Sequence, residues 1–250
     1  MSQPVGTLTL EATDLHVWSA LLDQPEVIVR RLRETLSPDE QVRAARYHFE
    51  RDRRRFIIAR GVLRSISGVY LNTPPNELAF EYGVRGKPAL SPVPDGKPLC
   101  FNMSHSHELA LYVFARHSRL GVDVEYALRD VNDADQLAER FFSANENAAY
   151  RALPAGEKRT AFFRCWTRKE AYIKAIGEGL SQPLNRFDVS LALGQPPAIL
   201  NIDGDPWAAQ RWSIFHLEPE TDYVGAIAIE GHSWQLTCWA WKRGMLSSES

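Results

Sequence analysis

The sequence predicts an α+β fold built from two pseudo-symmetric α+β halves, residues 1–118 and 119–250, with a natural cleft at the interface between them. Three internal correspondences carry this expectation. A Ser-x-x-Glu helix start occurs at Ser37 and again at Ser143, 106 residues later. Each is followed nineteen residues on by an apolar pair, Phe56-Ile57 and Phe162-Phe163. Each half then carries an apolar strand-type segment, 109–115 in the first and 223–229 in the second.

The elements follow in order. An alternating run over residues 8–17 reads as a short strand, and a helix starts near Pro25. Ser37-Pro-Asp-Glu40 supplies a serine cap, proline at the first helical position and an acid that can close a capping box, so a long helical region follows to about Tyr70. Residues 72–98 hold six of the fifteen prolines and read as loops around short strands. Segments 109–115 and 120–126 are strand-like. In the second half, Phe162, Cys165, Trp166, Ile173 and Ile176 recur at helical spacing, and Gly177 and Gly179 end that helix.

Composition narrows the function. With 44% hydrophobic and 24% charged residues, the chain is globular rather than disordered or fibrous. Lys plus Arg total 29 against 31 Asp plus Glu, so there is no global basic field for nucleic acid, and any anion site must be local. Cys100, Cys165 and Cys238 are an odd number, far apart and without a CxxC pair, which argues against a disulfide framework or a zinc ribbon. No basic leader precedes an apolar run, and no stretch approaches the ~18 apolar residues of a membrane helix. A reducing cytoplasm is the expected setting.

The residues with chemical potential are few. In Leu120-Gly-Val-Asp-Val-Glu-Tyr126, Asp123 and Glu125 share one strand face, where two carboxylates ~7 Å apart repel by about 2 kcal/mol at an effective dielectric of 20. A wet acidic edge relieves that repulsion, and so does a hard cation such as Mg²⁺. Glu170 and Lys174 lie one helical turn apart, which suits either a solvated ion pair or a carboxylate ligand or base beside a phosphate donor. Phe101-Asn-Met-Ser-His-Ser-His107 clusters hydroxyls and imidazoles, as a polar turn or as phosphate donors. Eight arginines between Arg43 and Arg64 face only Glu50 and Asp52, as a solvated helix face or as a locus for phosphates or an acidic partner. Gly86-Lys87-Pro88 and Gly96-Lys97-Pro98 each place a lysine in a turn.

Taken together, FNMSHS at 101–106, GVDVE at 121–125, RFFSANE at 140–146 and WTRKEAYIKAIGEGL at 166–180 resemble the 4'-phosphopantetheinyl transferases of the Sfp type. The similarity runs from about Ser37 to Val189. It implies a cytoplasmic monomer with its active site between the halves, binding coenzyme A and Mg²⁺. It also implies transfer of the 4'-phosphopantetheine arm of coenzyme A to a serine of an apo acyl or peptidyl carrier protein, releasing adenosine 3',5'-bisphosphate, with no nucleic-acid or membrane partner. Carried onto this chain, Asp123, Glu125 and Glu170 become the Mg²⁺ ligands. Glu170 is also the base for the incoming serine, and Lys174 stabilises charge on the pyrophosphate. Ser104 and His105 match residues that hold the 3'-phosphate of coenzyme A, aided by Arg43, Arg55 and Lys87. Basic residues near the cleft are expected to steer an acidic carrier, and the exit Gly177–Leu180 is a candidate contact. Two other readings compete: a metal-dependent nuclease or phosphodiesterase, and a non-catalytic module whose arginine-rich helix binds an acidic protein.

Overall fold

The computed structural model describes residues 8–83, 85–91, 98–129, 131, 133–177 and 183–242. Strand β1 (Asp14–Leu21) leads to helix α1 (Glu26–Glu34), which begins after Pro25 as its N-cap. The helical region expected up to Tyr70 is divided: α2 (Pro38–Ala45) and α3 (Glu50–Leu71) are separate helices. The turn between them lets buried Glu40 on α2 meet Arg60 and Arg64 on α3, with Glu40 Oε2 accepting from Arg64 Nε at 2.6 Å. A short hairpin of β2 (Phe80–Tyr82) and β3 (Pro88–Leu90) occupies the proline-rich stretch. Strands β4 (Cys100–Ser106), β5 (Leu109–Ala115) and β6 (Leu120–Tyr126) follow, the last two with the bounds read from the sequence.

The second half contributes α4 (Ala134–Phe141), α5 (Ala144–Ala152) and α6 (Ala155–Ile176). After the hairpin of β7 (Phe187–Val189) and β8 (Ile199–Ile202) come α7 (Pro206–Ala209), β9 (Trp212–Leu217), β10 (Tyr223–Glu230) and β11 (Gln235–Ala240). Both expected capping boxes form: Ser37 N–H donates to Glu40 Oε2 at 3.0 Å, and Ser143 N–H to Glu146 Oε2 at 2.7 Å. In each half the same glutamate is then buried as the counter-ion of the long helix that follows. Glu40 binds Arg60 and Arg64, and Glu146 binds Lys169 at 2.8 Å.

These elements stack in four layers. One sheet has the order β11-β1-β5-β4 and the other β6-β10-β9. Their inner faces meet through Leu15, Val17, Leu111, Val113, Val122, Val124, Ile227 and Ile229. On the outer face of the first sheet, Trp18, Tyr112 and Phe114 pack with Val62, Leu63 and Ile66 of α3. On the outer face of the second, Ala226, Ala228 and Ile214 pack with Phe162, Cys165 and Ile173 of α6. Strand β5 is buried along its whole length because it is covered on both sides, which explains an apolar run without alternation. The α+β class expected from the sequence holds. One connection crosses the expected division at residue 118: β11 returns from the second half to pair parallel with β1, Val17 opposite Cys238. All three cysteines are free, and no helix among the described residues is long and apolar enough to cross a membrane.

Strand β6 alternates as its sequence demands. Leu120, Val122 and Val124 face the first sheet, and the intervening positions face α6. Gly121 allows that helix to lie almost on the strand, since a Cβ there would sit 2.2 Å from the Ala171 carbonyl oxygen and 2.4 Å from the Ala175 nitrogen. Both obstacles are main chain, so neither can move aside. Gly121→Ala is therefore expected to lower the stability by about 3 kcal/mol or more in urea unfolding. A variant as stable as the parent would contradict this packing.

Candidate active site

The close approach of α6 to β6 brings the acids together. Asp123 and Glu125 lie two residues apart on the α6-facing side of β6, and Glu170 and Lys174 lie on the last turns of α6. Asp123 is buried; its Oδ1 accepts from Lys174 Nζ at 2.6 Å and from Ser104 Oγ at 2.8 Å. Lys174 Nζ also donates to Ser104 Oγ at 2.8 Å, closing a three-membered network. Lys174 thus pairs with Asp123 of the neighbouring strand, and the i,i+4 ion pair with Glu170 does not form. Glu125 Oε2 accepts from Ser106 Oγ at 2.8 Å and its Oε1 from Arg129 at 3.0 Å. Among the described residues Glu170 has no hydrogen-bond or ion-pair partner, yet it feels both other acids. Burial first, then the negative charge of Asp123, raise its pKa, and the same two causes raise that of Glu125.

Strand β4 supplies the opposite wall. It is the edge of the first sheet as β6 is the edge of the second, and no main-chain ladder joins them. Side chains take its place. Asn102 Oδ1 accepts from Val122 N–H at 2.9 Å, Ser104 donates to Asp123, and Ser106 accepts from Tyr126 N–H at 3.1 Å while donating to Glu125. The period of two along β4 matches that along β6, so every second residue of one strand reaches the other.

Two joined hollows flank this seam. A cleft of about 340 Å³ is lined by Arg43, Arg60, Tyr82, Ser104, His105 and Lys174, and a neighbouring recess of about 270 Å³ by Gly86, Met103, Glu170, Ile173 and Lys174. Outside them a shallower bowl is lined by Arg43, Arg46, Tyr47 and Tyr82. A mainly apolar cavity of about 700 Å³ lies beyond Lys87, bordered by Leu90, Phe101 and Leu120; none of the three acids lines it. The two hollows beside the seam, both bordered by Lys174 and one of them by Glu170, are the better site for charged chemistry. His105 opens onto the cleft, and desolvation by the surrounding protein, then the Lys174 and Arg55 charges, lower its pKa. At neutral pH it offers an N–H rather than a positive charge.

Several expected basic residues are engaged elsewhere. Arg55 is ion-paired with Glu108, and Arg54 with Glu26. Arg53 binds Glu50, and Arg51 lies 3.3 Å from Asp52. Of the arginine run, Arg43, Arg46 and Arg60 are the members that border the hollows. Arg43 stacks over Phe56 at 5.3 Å, and Arg60 is held by Glu40 and donates to Tyr82 Oη at 2.7 Å. Lys87 borders the recess, and its ammonium lies on the end of α6, donating to Lys174 O at 2.6 Å, Ala175 O at 3.3 Å and Leu120 O at 3.0 Å. There it satisfies terminal helix carbonyls and opposes the negative end of the helix dipole. Lys97, Gly179 and Leu180 lie outside the described residues.

Arg46, Tyr47 and Tyr82 border the site without having been singled out. Their signal was only their place in the arginine run and beside the first Gly-Lys-Pro turn.

The donor set suits a hard divalent cation. The three acids offer only oxygen, Asp123 Oδ2 is buried without a hydrogen-bond partner among the described residues, and the Asp123 charge helps raise the pKa of both Glu125 and Glu170, which a cation would reverse. Among the described residues no three such side chains are already drawn to one ligation point, and Lys174 holds the counter-charge to Asp123.

Residues 18–117 match the family model described as 4'-phosphopantetheinyl transferase, N-terminal, and residues 119–228 match that of the 4'-phosphopantetheinyl transferase superfamily. The chain is 41% identical over 232 residues to the 4'-phosphopantetheinyl transferase HetI of Nostoc sp., covering 93% of this chain and 94% of that protein. It is 30% identical to psf-1 of Bacillus pumilus over 74% of this chain and 77% of that one. To Sfp of Bacillus subtilis it is 27% identical, over 71% and 77%. The chain belongs to the 4'-phosphopantetheinyl transferases, in their Sfp-like branch, and is an enzyme of that kind.

Because Lys87 closes the end of α6, Lys87→Ala is expected to cost about 2 kcal/mol of stability in urea unfolding, the range for hydrogen bonds from a charged donor. An unchanged unfolding midpoint would show that the ammonium is free to serve the cleft instead.

Proposed function

We propose that this enzyme transfers the 4'-phosphopantetheine arm of coenzyme A to a serine of an apo acyl or peptidyl carrier protein, with Mg²⁺, releasing adenosine 3',5'-bisphosphate. The observation that carries the reading is the meeting of Asp123, Glu125 and Glu170 beside Lys174, at the lip of a cleft walled by Arg43, Ser104 and His105. Asp123, Glu125 and Glu170 would hold the Mg²⁺, which when bound supplies neutralisation of the pyrophosphate and polarisation of its phosphorus.

The protein's own groups divide the remaining work. Glu170 takes the proton of the serine hydroxyl as its oxygen attacks the β-phosphorus and the bond to the bridging oxygen breaks. Lys174, two hydrogen bonds deep in Asp123 and Ser104, is positioned to exchange those partners for a phosphate oxygen and so stabilise the departing bisphosphate. The neutral His105 offers a hydrogen-bond donor, and Arg43 and Arg46 offer charge, for the 3'-phosphate, and Ser104 can join them by turning its one proton from Asp123. Arg55 and Lys87, tied to Glu108 and to α6, support that wall rather than the nucleotide. The protein acts as a monomer in the cytoplasm, where basic residues at the outer bowl steer an acidic carrier.

The direct experiment combines the enzyme with coenzyme A, Mg²⁺ and an apo carrier and weighs the carrier by mass spectrometry. The expected result is a gain of one phosphopantetheine unit; no gain across a panel of fatty acid, polyketide and nonribosomal peptide carriers would refute the reading. Glu170→Gln is expected to abolish transfer with an unchanged unfolding midpoint, and retained turnover would remove Glu170 from the base role. Lys174→Ala tests less cleanly. It strands the buried Asp123 carboxylate without its counter-ion and is expected to cost about 3 kcal/mol of stability as well as activity.

A further inference from the structure

We propose that Ser106 is a positioning residue of the active site: its hydroxyl fixes the orientation of the Glu125 carboxylate and so presets the divalent-cation site. The inference rests on the reading of Asp123, Glu125 and Glu170 as metal ligands. Ser106 is the last residue of β4 and the third stitch of the seam between the sheets. Its oxygen accepts the Tyr126 N–H at 3.1 Å, so its single proton is directed to Glu125 Oε2 at 2.8 Å.

The hydroxyl itself is held from behind. The β4–β5 turn places His107 in the left-handed region, φ 51°, and lays its ring on Tyr126 with centroids 4.7 Å apart and planes 20° apart. Tyr126 in turn meets Tyr223 at 5.1 Å, and the Tyr223 hydroxyl accepts the Glu108 N–H at 3.2 Å. The turn that follows Ser106 is thus fastened to β6 through His107 and to β10 through Glu108.

Glu125 differs from its neighbours in needing this contact. Asp123 is oriented by an ammonium and a hydroxyl that converge on one oxygen, leaving Oδ2 unpartnered. Glu125 has a longer side chain with one more torsion to fix, and its other contact, Arg129, is a half-exposed cation from its own strand exit. A divalent ion competes with that arginine for the carboxylate, whereas a neutral hydroxyl donor can stay in place when the cation arrives. Outer hydrogen bonds of this kind orient a ligand, and their loss typically weakens metal affinity by about 10- to 100-fold.

The test measures Mn²⁺ binding to the whole protein by electron paramagnetic resonance, without coenzyme A or carrier, for the parent, Ser106→Ala and Ser106→Thr. Thermal unfolding and Mg²⁺-dependent transfer are followed alongside. Ser106→Ala is expected to bind Mn²⁺ at least about 10-fold more weakly, to need correspondingly more Mg²⁺ for half-maximal transfer, and to keep its native circular dichroism. Ser106→Thr, which keeps the hydroxyl, is expected to recover most of the affinity. Unchanged Mn²⁺ affinity in Ser106→Ala, with a parent that binds the ion and transfers the arm, overturns the role of Ser106 and leaves the proposed activity standing. Loss of the native fold in Ser106→Ala, or no recovery in Ser106→Thr, assigns Ser106 a structural role instead. A parent that binds no Mn²⁺ and transfers nothing removes the cation site itself, and this inference with it.

Discussion

Two sheet edges that lie side by side without sharing a ladder define this protein. Between β4 and β6 the main chain of one strand is not bonded to that of the other, and Asn102, Ser104 and Ser106 bridge the gap. That arrangement leaves polar side chains where an ordinary sheet would have only amides, and it leaves room for carboxylates between the two edges. A continuous sheet would have buried the acids among main-chain hydrogen bonds. The functional residues gather at the seam because it is the place in a four-layer stack where oxygen atoms can be concentrated without breaking a strand.

Around the seam the molecule neutralises its own charges in pairs. Glu40 is answered by Arg60 and Arg64, Glu146 by Lys169, Asp123 by Lys174 and Glu125 by Arg129. The first two are closed arrangements that anchor the long helices; removing one partner would leave an uncompensated buried charge. Of the latter two, the pair of Asp123 with Lys174 reaches the cleft through Lys174, and that of Glu125 with Arg129 ends on a half-exposed guanidinium. Glu170 stands apart, with charge nearby and, among the described residues, no ion-pair partner. On α6 the two arrangements are one residue apart, Lys169 buried against Glu146 and Glu170 facing the other acids.

Much of this was legible in the sequence where the governing physics is local. Capping chemistry located α2 and α5, the apolar runs located β5 and β10, and strict alternation in β6 put Asp123 and Glu125 on one face. The motifs identified the family. Long-range partners could not be read. The ammonium of Lys87 crosses to helix carbonyls 87 and 88 residues away in the chain. Arg55 is absorbed by Glu108 in a turn on the far side of β4. A basic residue in a promising motif has several acids and carbonyls within reach, and only packing decides among them. The break between α2 and α3 was hidden for the same reason, since it serves a contact between Glu40 and a helix that begins ten residues later. The role of Ser106 depends on how two separate sheets abut, which no local pattern encodes.

The parallel pairing of β11 with β1 has a consequence for biosynthesis. Strand β1 leaves the ribosome well before its neighbour on one side, residues 235–240. Until those residues emerge, the amino-terminal sheet presents an unpaired edge, the kind of surface on which nascent chains associate with one another. The two halves therefore cannot be matured one after the other as independent bodies. A fragment ending at the junction between them would be missing the strand that covers its margin.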